Sequence, residues 1–561
     1  MEAIYNIAEI CARKGINNAI LSPGSRCAPL TFAFTRHPDF QVKTISDERS
    51  AAFVALGISL TTEKPVVLVC TSGSAAYNYA PAVAEAYYSQ IPLIVITADR
   101  PDEWIDQLDG QTIKQQNIYG SHVKKSYHLP VDHSHPDSVW HINRTINEAI
   151  NLALTAAKGP VHINVPLREP FYPNSFKPVR FDVNTRIINT IPNDNVINNA
   201  LLEELHKKIS SFQDILIVAG QGKIDNALKT ALENFCKKTQ AVIIGDIISN
   251  THNLTGAITK HDIILSYDNN RKILSPDLLI TFGRSIISKP LKQLLRNNPP
   301  KEHWHIDPSG IGADTFQCLC KIIPVSATYF FENVNYSGTN NSYNNIWKKL
   351  NTKAENFINN FFHEPLSFNE FSAIEKVMKN LPENILLHLS NSMPVRYANY
   401  FSSQKDLEIY CNRGTSGIDG VTSTAMGAAF SGNKQVVLLT GDMAFFYDRN
   451  AFWHNYDYKN LRIILLNNHG GGIFKLIDGP SAEPEVDEYF VTKQKLNATS
   501  LAKEFNIEHH LCKNFQDIDN CLVSFYTPSE KAKIMEIDTD VSVNTEVFKL
   551  FKNKTVELYA K

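Results

Sequence analysis

Short runs rich in Val, Ile and Leu recur along this chain. Each is closed by a polar or glycine-containing turn and separated from the next by room for one crossover helix. That is the sequence form of the βαβ unit, and its repetition predicts parallel, doubly wound sheets of the α/β class. In residues 1–175, strands are predicted at 19–21, 42–46, 66–70 and 93–97. They run into Ser22-Pro23-Gly24-Ser25-Arg26, Asp47-Glu48-Arg49, Thr71-Ser72-Gly73-Ser74 and Ala98-Asp99-Arg100-Pro101. In a parallel sheet these turns share one edge, the edge where ligands bind.

The pattern repeats in residues 196–335, with strands predicted at 215–219, 241–245, 278–282 and 303–306. Gly220-Gln221-Gly222 follows the first of these, but the third glycine of a dinucleotide loop is missing, so a tight strand-to-helix turn is the better reading. Residues 350–561 carry strand ends at Ser390, Asn412, Gly441 and Asn467 and a late strand at 533–537. Pro-, Asn- and Ser-containing stretches at 169–195 and 336–345 read as linkers. Three doubly wound domains in sequence are therefore expected: 1–175, 196–335 and 350–561.

The stretch 435–474 is the most informative. A strand at 435–440 runs into Gly441-Asp442-Met443, and a second at 461–466 runs into Asn467-Asn468, with Gly470, Gly471 and Gly472 close behind. One carboxylate, amide oxygens and backbone carbonyls at adjacent strand ends form a hard, all-oxygen set. Such a set suits Mg²⁺ bridging the phosphates of a cofactor, and the glycines let backbone approach an anion closely.

Composition narrows the class. A chain of 561 residues with 43% hydrophobic content has room for several cores. No segment reaches the unbroken apolar length of a membrane span. An amphipathic helix at 4–12 leaves no room for a signal peptide. Nine cysteines without metal-type spacing point to the reducing cytoplasm. The net charge of −2 gives no reason to invoke nucleic acid.

The Gly-Asp to Asn-Asn arrangement, set in the last of three doubly wound segments, resembles the diphosphate-binding motif of thiamine-diphosphate enzymes. The layout resembles their pyruvate-oxidase and decarboxylase branch: a pyrimidine-binding, a central and a diphosphate-binding domain. The resemblance implies thiamine diphosphate as cofactor and Mg²⁺ or Mn²⁺ held by Asp442, the side chain of Asn468 and the carbonyl of Gly470. It further implies that Ser72, Gly73, Met443 and Ala444 border the cofactor and that Ile418 wedges it into a bent form. Glu48 matches the glutamate that activates the aminopyrimidine; with Phe53, Val54 and Leu56 on the following face it would sit partly buried, where a shared proton is useful. The branch places that glutamate opposite another subunit's diphosphate domain, which implies a homodimer or homotetramer with active sites at the interface. His469 is given no role by the resemblance.

Within the branch the basic residues discriminate. Ser25-Arg26, Arg100, Gln111, Ser392 with Arg396, and Asn412-Arg413 to Gly420 resemble the members that join 2-oxoglutarate to isochorismate in menaquinone biosynthesis. The resemblance implies further substrate contacts at Arg284, Lys289 and Phe474. The implied reaction decarboxylates 2-oxoglutarate and adds the succinyl-semialdehyde carbanion equivalent to isochorismate. Both substrates are dicarboxylates, so several guanidinium groups suit the pocket. Cys27, Ser74 and Ala444 depart from the commoner residue types, but none removes a charge. An acetolactate synthase or simple 2-oxoacid decarboxylase would not need this many arginines. An inactive α/β binder would not need Glu48 and Asp442.

Overall fold

The structure is a computed structural model that describes residues 2–172, 179–191, 195–334, 336, 341–402, 405–477 and 479–560. Parts of both expected linkers, 173–178, 192–194 and 337–340, lie outside the described residues. The first sheet comprises β1 (Asn18–Leu21), β2 (Gln41–Thr44), β3 (Val66–Cys70), β4 (Leu93–Asp99), β5 (Ser126–His128) and β6 (Val161–Pro166) in the order β2-β1-β3-β4-β6-β5. The second comprises β7 (Ile215–Ala219), β8 (Val242–Gly245), β9 (Leu278–Phe282), β10 (Glu302–Ile306) and β11 (Leu319–Ile323) in the order β11-β10-β9-β7-β8. The third comprises β12 (Ile385–Leu389), β13 (Leu407–Tyr410), β14 (Val436–Gly441), β15 (Leu461–Asn467), β16 (Glu508–Cys512) and β17 (Lys533–Asp538) in the order β13-β12-β14-β15-β17-β16.

Every recorded pairing is parallel, and the class is the doubly wound α/β fold. The interior strands β3 and β7 are buried along their whole length, which is why they read as unbroken apolar runs. Strand β6 is equally buried but reads poorly, because His162 and Asn164 interrupt it. Both are paid for internally: Thr97 Oγ1 bonds to His162 Nε2 and to Asn164 Oδ1, each at 2.8 Å. The other unpredicted strands, β5, β11 and β16, are short or half-exposed and lie at sheet edges.

The first and third sheets dock through the helices Glu48–Thr62 and Val421–Phe430. These approach so closely that a Cβ on Gly57 would stand 2.0 Å from the Thr424 carbonyl oxygen, and one on Gly427 2.1 Å from that of Val54. One apolar cluster runs through both domains, from Ile20 and Phe53 to Leu438 and Ile534. The strand ends that carry polar turns are thereby held in fixed positions. Among the described residues, no helix is long and apolar enough to cross a membrane.

Candidate active site

In the third sheet the order passes from β12 to β14 at a topological switch point, where the connections leave in opposite directions and open a crevice. A cavity of about 470 Å³ lies there. Gly441 pairs in register with Leu466, so the residues that follow, Asp442 and Asn467-Asn468, leave the sheet side by side. Asp442 opens the helix Asp442–Tyr447 and is 2% exposed. Its oxygens accept from Gln494 Nε2 at 2.7 Å and from Met443 N at 2.9 Å. Burial pushes its carboxyl up to about 6, against the opposing pull of these donors.

The two asparagines have different surroundings. Asn467 is fully buried and donates to the Leu496 carbonyl and to Glu536 Oε1. Asn468 lines the cavity; its Nδ2 donates to Glu370 Oε1 at 2.7 Å. Its Oδ1 is buried and, among the described residues, has no hydrogen-bond partner. Gly470 completes the turn, and a Cβ there would stand 2.7 Å from the Val491 carbonyl oxygen. His469 turns away to Asp538, 2.9 Å from Nε2 to Oδ1.

Arg396 and Arg413 reach the same cavity from the ends of β12 and β13. Arg396 Nη1 donates to the Ser392 carbonyl at 2.6 Å, and Arg413 Nη1 to Asn391 Oδ1 at 2.9 Å. Their hydrogen-bond partners are thus neutral oxygens. Burial and the Arg413 charge draw the Arg396 pKa below its usual value. Glu85, from the first domain, grips the Arg413 loop by accepting from Gly414 N, Thr415 N and Thr415 Oγ1 at 2.7–2.8 Å. Ile418, Met443, Ala444, Ser392 and Phe474 complete the wall.

A second crevice lies at the matching edge of the first sheet. Glu48 begins its helix, half-buried, with Asp47 capping Ser50 N and Asn78 Nδ2 3.3 Å from Glu48 Oε2. Arg26 is buried, donates to the Leu167 carbonyl at 2.6 Å and stacks 4.6 Å over Phe171. Arg100 is held by the Gly110 carbonyl and by Asp109 at 3.3 Å. Gln111 stands against Gly73, whose amide donates to Gln115 Oε1 at 2.8 Å. Ser72 Oγ is buried without a hydrogen bond among the described residues, and Ser25 Oγ lies 3.0 Å from the Tyr172 hydroxyl.

None of these first-domain residues lines the Asp442 cavity, whose wall runs from Glu370 to Thr492. Arg284 borders a separate cavity of about 780 Å³ where the three domains meet, and Lys289 is exposed at the start of the helix Lys289–Asn297. Ser285, between them, donates to the Arg413 carbonyl at 3.0 Å. Sequence pattern did not single out Glu370, Gln494 or Glu85. The Asn369-Glu370 start of a helix marks only a cap, and the partners that tie these three to the site, Asn468, Asp442 and Gly414, are distant in sequence.

Residues 1–119 match the thiamine pyrophosphate enzyme N-terminal TPP binding domain, 201–389 the middle domain of thiamine pyrophosphate enzymes, and 392–536 the C-terminal TPP binding domain. The 2-succinyl-5-enolpyruvyl-6-hydroxy-3-cyclohexene-1-carboxylate synthase of Cytophaga hutchinsonii is 48% identical over 561 residues, covering 99% of each chain. This chain belongs to that synthase family. The synthases of Flavobacterium johnsoniae (39% identical, 97% of each chain) and Porphyromonas gingivalis (36%, covering 97% of this chain and 96% of that one) are further relatives within it. Among solved structures, benzoylformate decarboxylase from Polynucleobacter necessarius superposes with a TM-score of 0.72 over 96% of this chain and 99% of that one. At 15% identity that likeness speaks for the fold alone.

Membership of the synthase family makes thiamine diphosphate (thiamine pyrophosphate) and a divalent metal the cofactors, and the cavity fits them. It offers a buried carboxylate, a buried amide oxygen that lacks a donor among the described residues, and a turn in which only glycine leaves room. That is a hard-cation, anion-approach site.

Proposed function

We propose that this chain is a thiamine-diphosphate-dependent synthase that decarboxylates 2-oxoglutarate and joins the remaining four-carbon unit to isochorismate. The products are 2-succinyl-5-enolpyruvyl-6-hydroxy-3-cyclohexene-1-carboxylate and CO2, a step of menaquinone biosynthesis. The observation that carries this reading is a pair of half-buried guanidiniums, Arg396 and Arg413, held by neutral oxygens in the same cavity as Asp442 and Asn468. Two such cations side by side call for an anionic occupant, and a dicarboxylic 2-oxo acid supplies one.

When bound, thiamine diphosphate supplies the nucleophilic carbon and electron sink that let a 2-oxo acid lose CO2. Asp442, Asn468 Oδ1 and the Gly470 carbonyl would hold the metal, with Met443 and Ala444 beside the diphosphate and Ile418 against the middle of the cofactor. Glu48, with Ser72 and Gly73 nearby, would hold and pass a proton at an aminopyrimidine nitrogen. Arg396, Arg413, Ser392 and Phe474 would orient 2-oxoglutarate; Ser25, Arg26, Arg100 and Gln111 would orient isochorismate. Arg284 and Lys289 would add positive potential from the central domain.

Glu48 does not line the Asp442 cavity of its own chain, so in this reading a second copy brings its first-domain crevice over that cavity. The assembly is at least a homodimer. Incubating the protein with thiamine diphosphate, Mg²⁺, 2-oxoglutarate and isochorismate tests the reaction. CO2 and the succinyl adduct in equal amounts are expected; release of succinic semialdehyde with no adduct would mark a simple decarboxylase.

A further inference from the structure

Glu370 is 1% exposed, lines the Asp442 cavity and lies 98 residues from its partner there, Asn468. It is the first residue of the helix Glu370–Lys379, whose start is capped by Asn369 Oδ1 accepting from Ser372 N at 2.9 Å. Its own amide donates to Asn544 Oδ1 at 2.8 Å, which ties it to the helix Val541–Ala560. The backbone that carries this carboxyl is therefore anchored by two elements.

A side-chain amide has one donating and one accepting end, and nothing intrinsic to Asn468 decides which faces the cavity. Glu370 Oε1, 2.7 Å from Asn468 Nδ2, makes that choice. Against the ionised carboxylate a flipped amide would set oxygen against oxygen. The unflipped amide presents Oδ1 on the side where it has no hydrogen bond among the described residues. We infer that Glu370 is a positioning residue: by holding Nδ2 it aims Asn468 Oδ1 at the divalent metal and sets the affinity of the site for that ion. This rests on the proposed metal site at Asp442 and Asn468 and goes beyond it by assigning the residue that orients the amide.

Mn²⁺ binding to the protein with thiamine diphosphate, followed by electron paramagnetic resonance, reads affinity without turnover. Glu370→Leu keeps the volume but offers no acceptor, and it should weaken Mn²⁺ binding about ten- to a hundredfold, the usual cost of losing an outer-shell partner. Glu370→Gln still presents an oxygen to Nδ2 and should stay within about threefold of the unsubstituted protein. Asn468→Ala should weaken binding at least as much, and Glu370→Leu added to it should cost nothing more, because the two act through one amide. Glu370→Met, a more pliable replacement, carries the same expectation if the leucine variant does not fold. Unchanged Mn²⁺ affinity in Glu370→Leu or Glu370→Met, with Asn468→Ala impaired, overturns the inference alone. Unchanged affinity in Asn468→Ala overturns the metal site and the inference together. Additive losses in the double variant make Glu370 a structural residue only.

Discussion

The first and third sheets have the same strand order, yet their matching edges are built for different work. The end of β1 leads to Arg26 and that of β12 to Arg396; β2 leads to Glu48 and β13 to Arg413. After β3 come Thr71-Ser72-Gly73, and β14 ends in Gly441 and runs into Asp442-Met443. In the third sheet the turns enclose a cavity with a buried acid. In the first they leave Ser25 and Gln111 exposed and Glu48 half-exposed. Topology decides where chemistry can stand, and the residue types at each turn decide what it is. A closed oxygen set suits an anchored metal and diphosphate; an open edge with one acid suits a surface that must receive a ligand held elsewhere.

Removing either half should be severe, in different ways. Glu48→Gln should keep cofactor affinity while turnover falls by about two to four orders of magnitude, the range for a positioned proton-transfer group. Asp442→Ala should weaken thiamine diphosphate and Mg²⁺ together, and high concentrations of both should restore part of the activity. Calorimetric titration of the cofactor separates the two. Equal affinity in all three proteins removes Asp442 from the metal site, and ordinary turnover in Glu48→Gln removes Glu48 from the mechanism.

Mixing the two dead variants sharpens the comparison. If each site takes Glu48 from one chain and Asp442 from another, a mixed dimer carries one intact site. Random reassociation of equal amounts should then recover about a quarter of normal activity. No recovery, with mixed dimers demonstrated by mass, would place both residues' work within a single chain.

Much of this arrangement could be read before any coordinates. Strands β3 and β7 begin and end where the apolar runs do, because burial on both faces leaves no polar residue to blur the limits. The polar turns after them are legible for the same reason. What could not be read were choices made by distant partners. Nothing in the local residues themselves tells Asn467, turned inward to Glu536, from Asn468, turned to the cavity; only the family resemblance singles out Asn468. Glu85 meets Thr415 across 330 positions of chain, so its grip on the Arg413 loop leaves no local pattern.

The seam between the halves can be probed by pH. Asp448 is fully buried, accepts from Ser423 N and from Ser423 Oγ at 2.8 Å, and burial pushes its carboxyl up to about 7. The folded state therefore keeps a proton that the unfolded chain gives up near its ordinary value of 3.8. The stability this contributes is full below that value and is lost as pH rises towards 7. Asp448→Asn can keep both hydrogen bonds without ionising. Its stability advantage over the unsubstituted protein should grow from pH 5 to pH 8, by on the order of 3 kcal/mol. Denaturant midpoints at the two pH values give the answer, and a constant difference would mean that Asp448 is ionised throughout.

The smallest effect separates the two substrates. If the first-sheet edge receives isochorismate while the third-sheet cavity holds 2-oxoglutarate, a change confined to the first edge should spare the first half of the reaction. Arg100 meets that condition: it is held by Asp109 and the Gly110 carbonyl, beside Gln111, and does not line the Asp442 cavity. Arg100→Ala should release CO2 from 2-oxoglutarate in a single turnover, without isochorismate, at the normal rate. Its KM for isochorismate should rise by the equivalent of about 1.5–3 kcal/mol, the cost of losing a charge-assisted hydrogen bond. Arg396→Ala should show the opposite split, with the CO2 burst slowed or lost. A missing burst in folded Arg100→Ala would show that the two edges share the first substrate, and the division of labour between them would have to be redrawn.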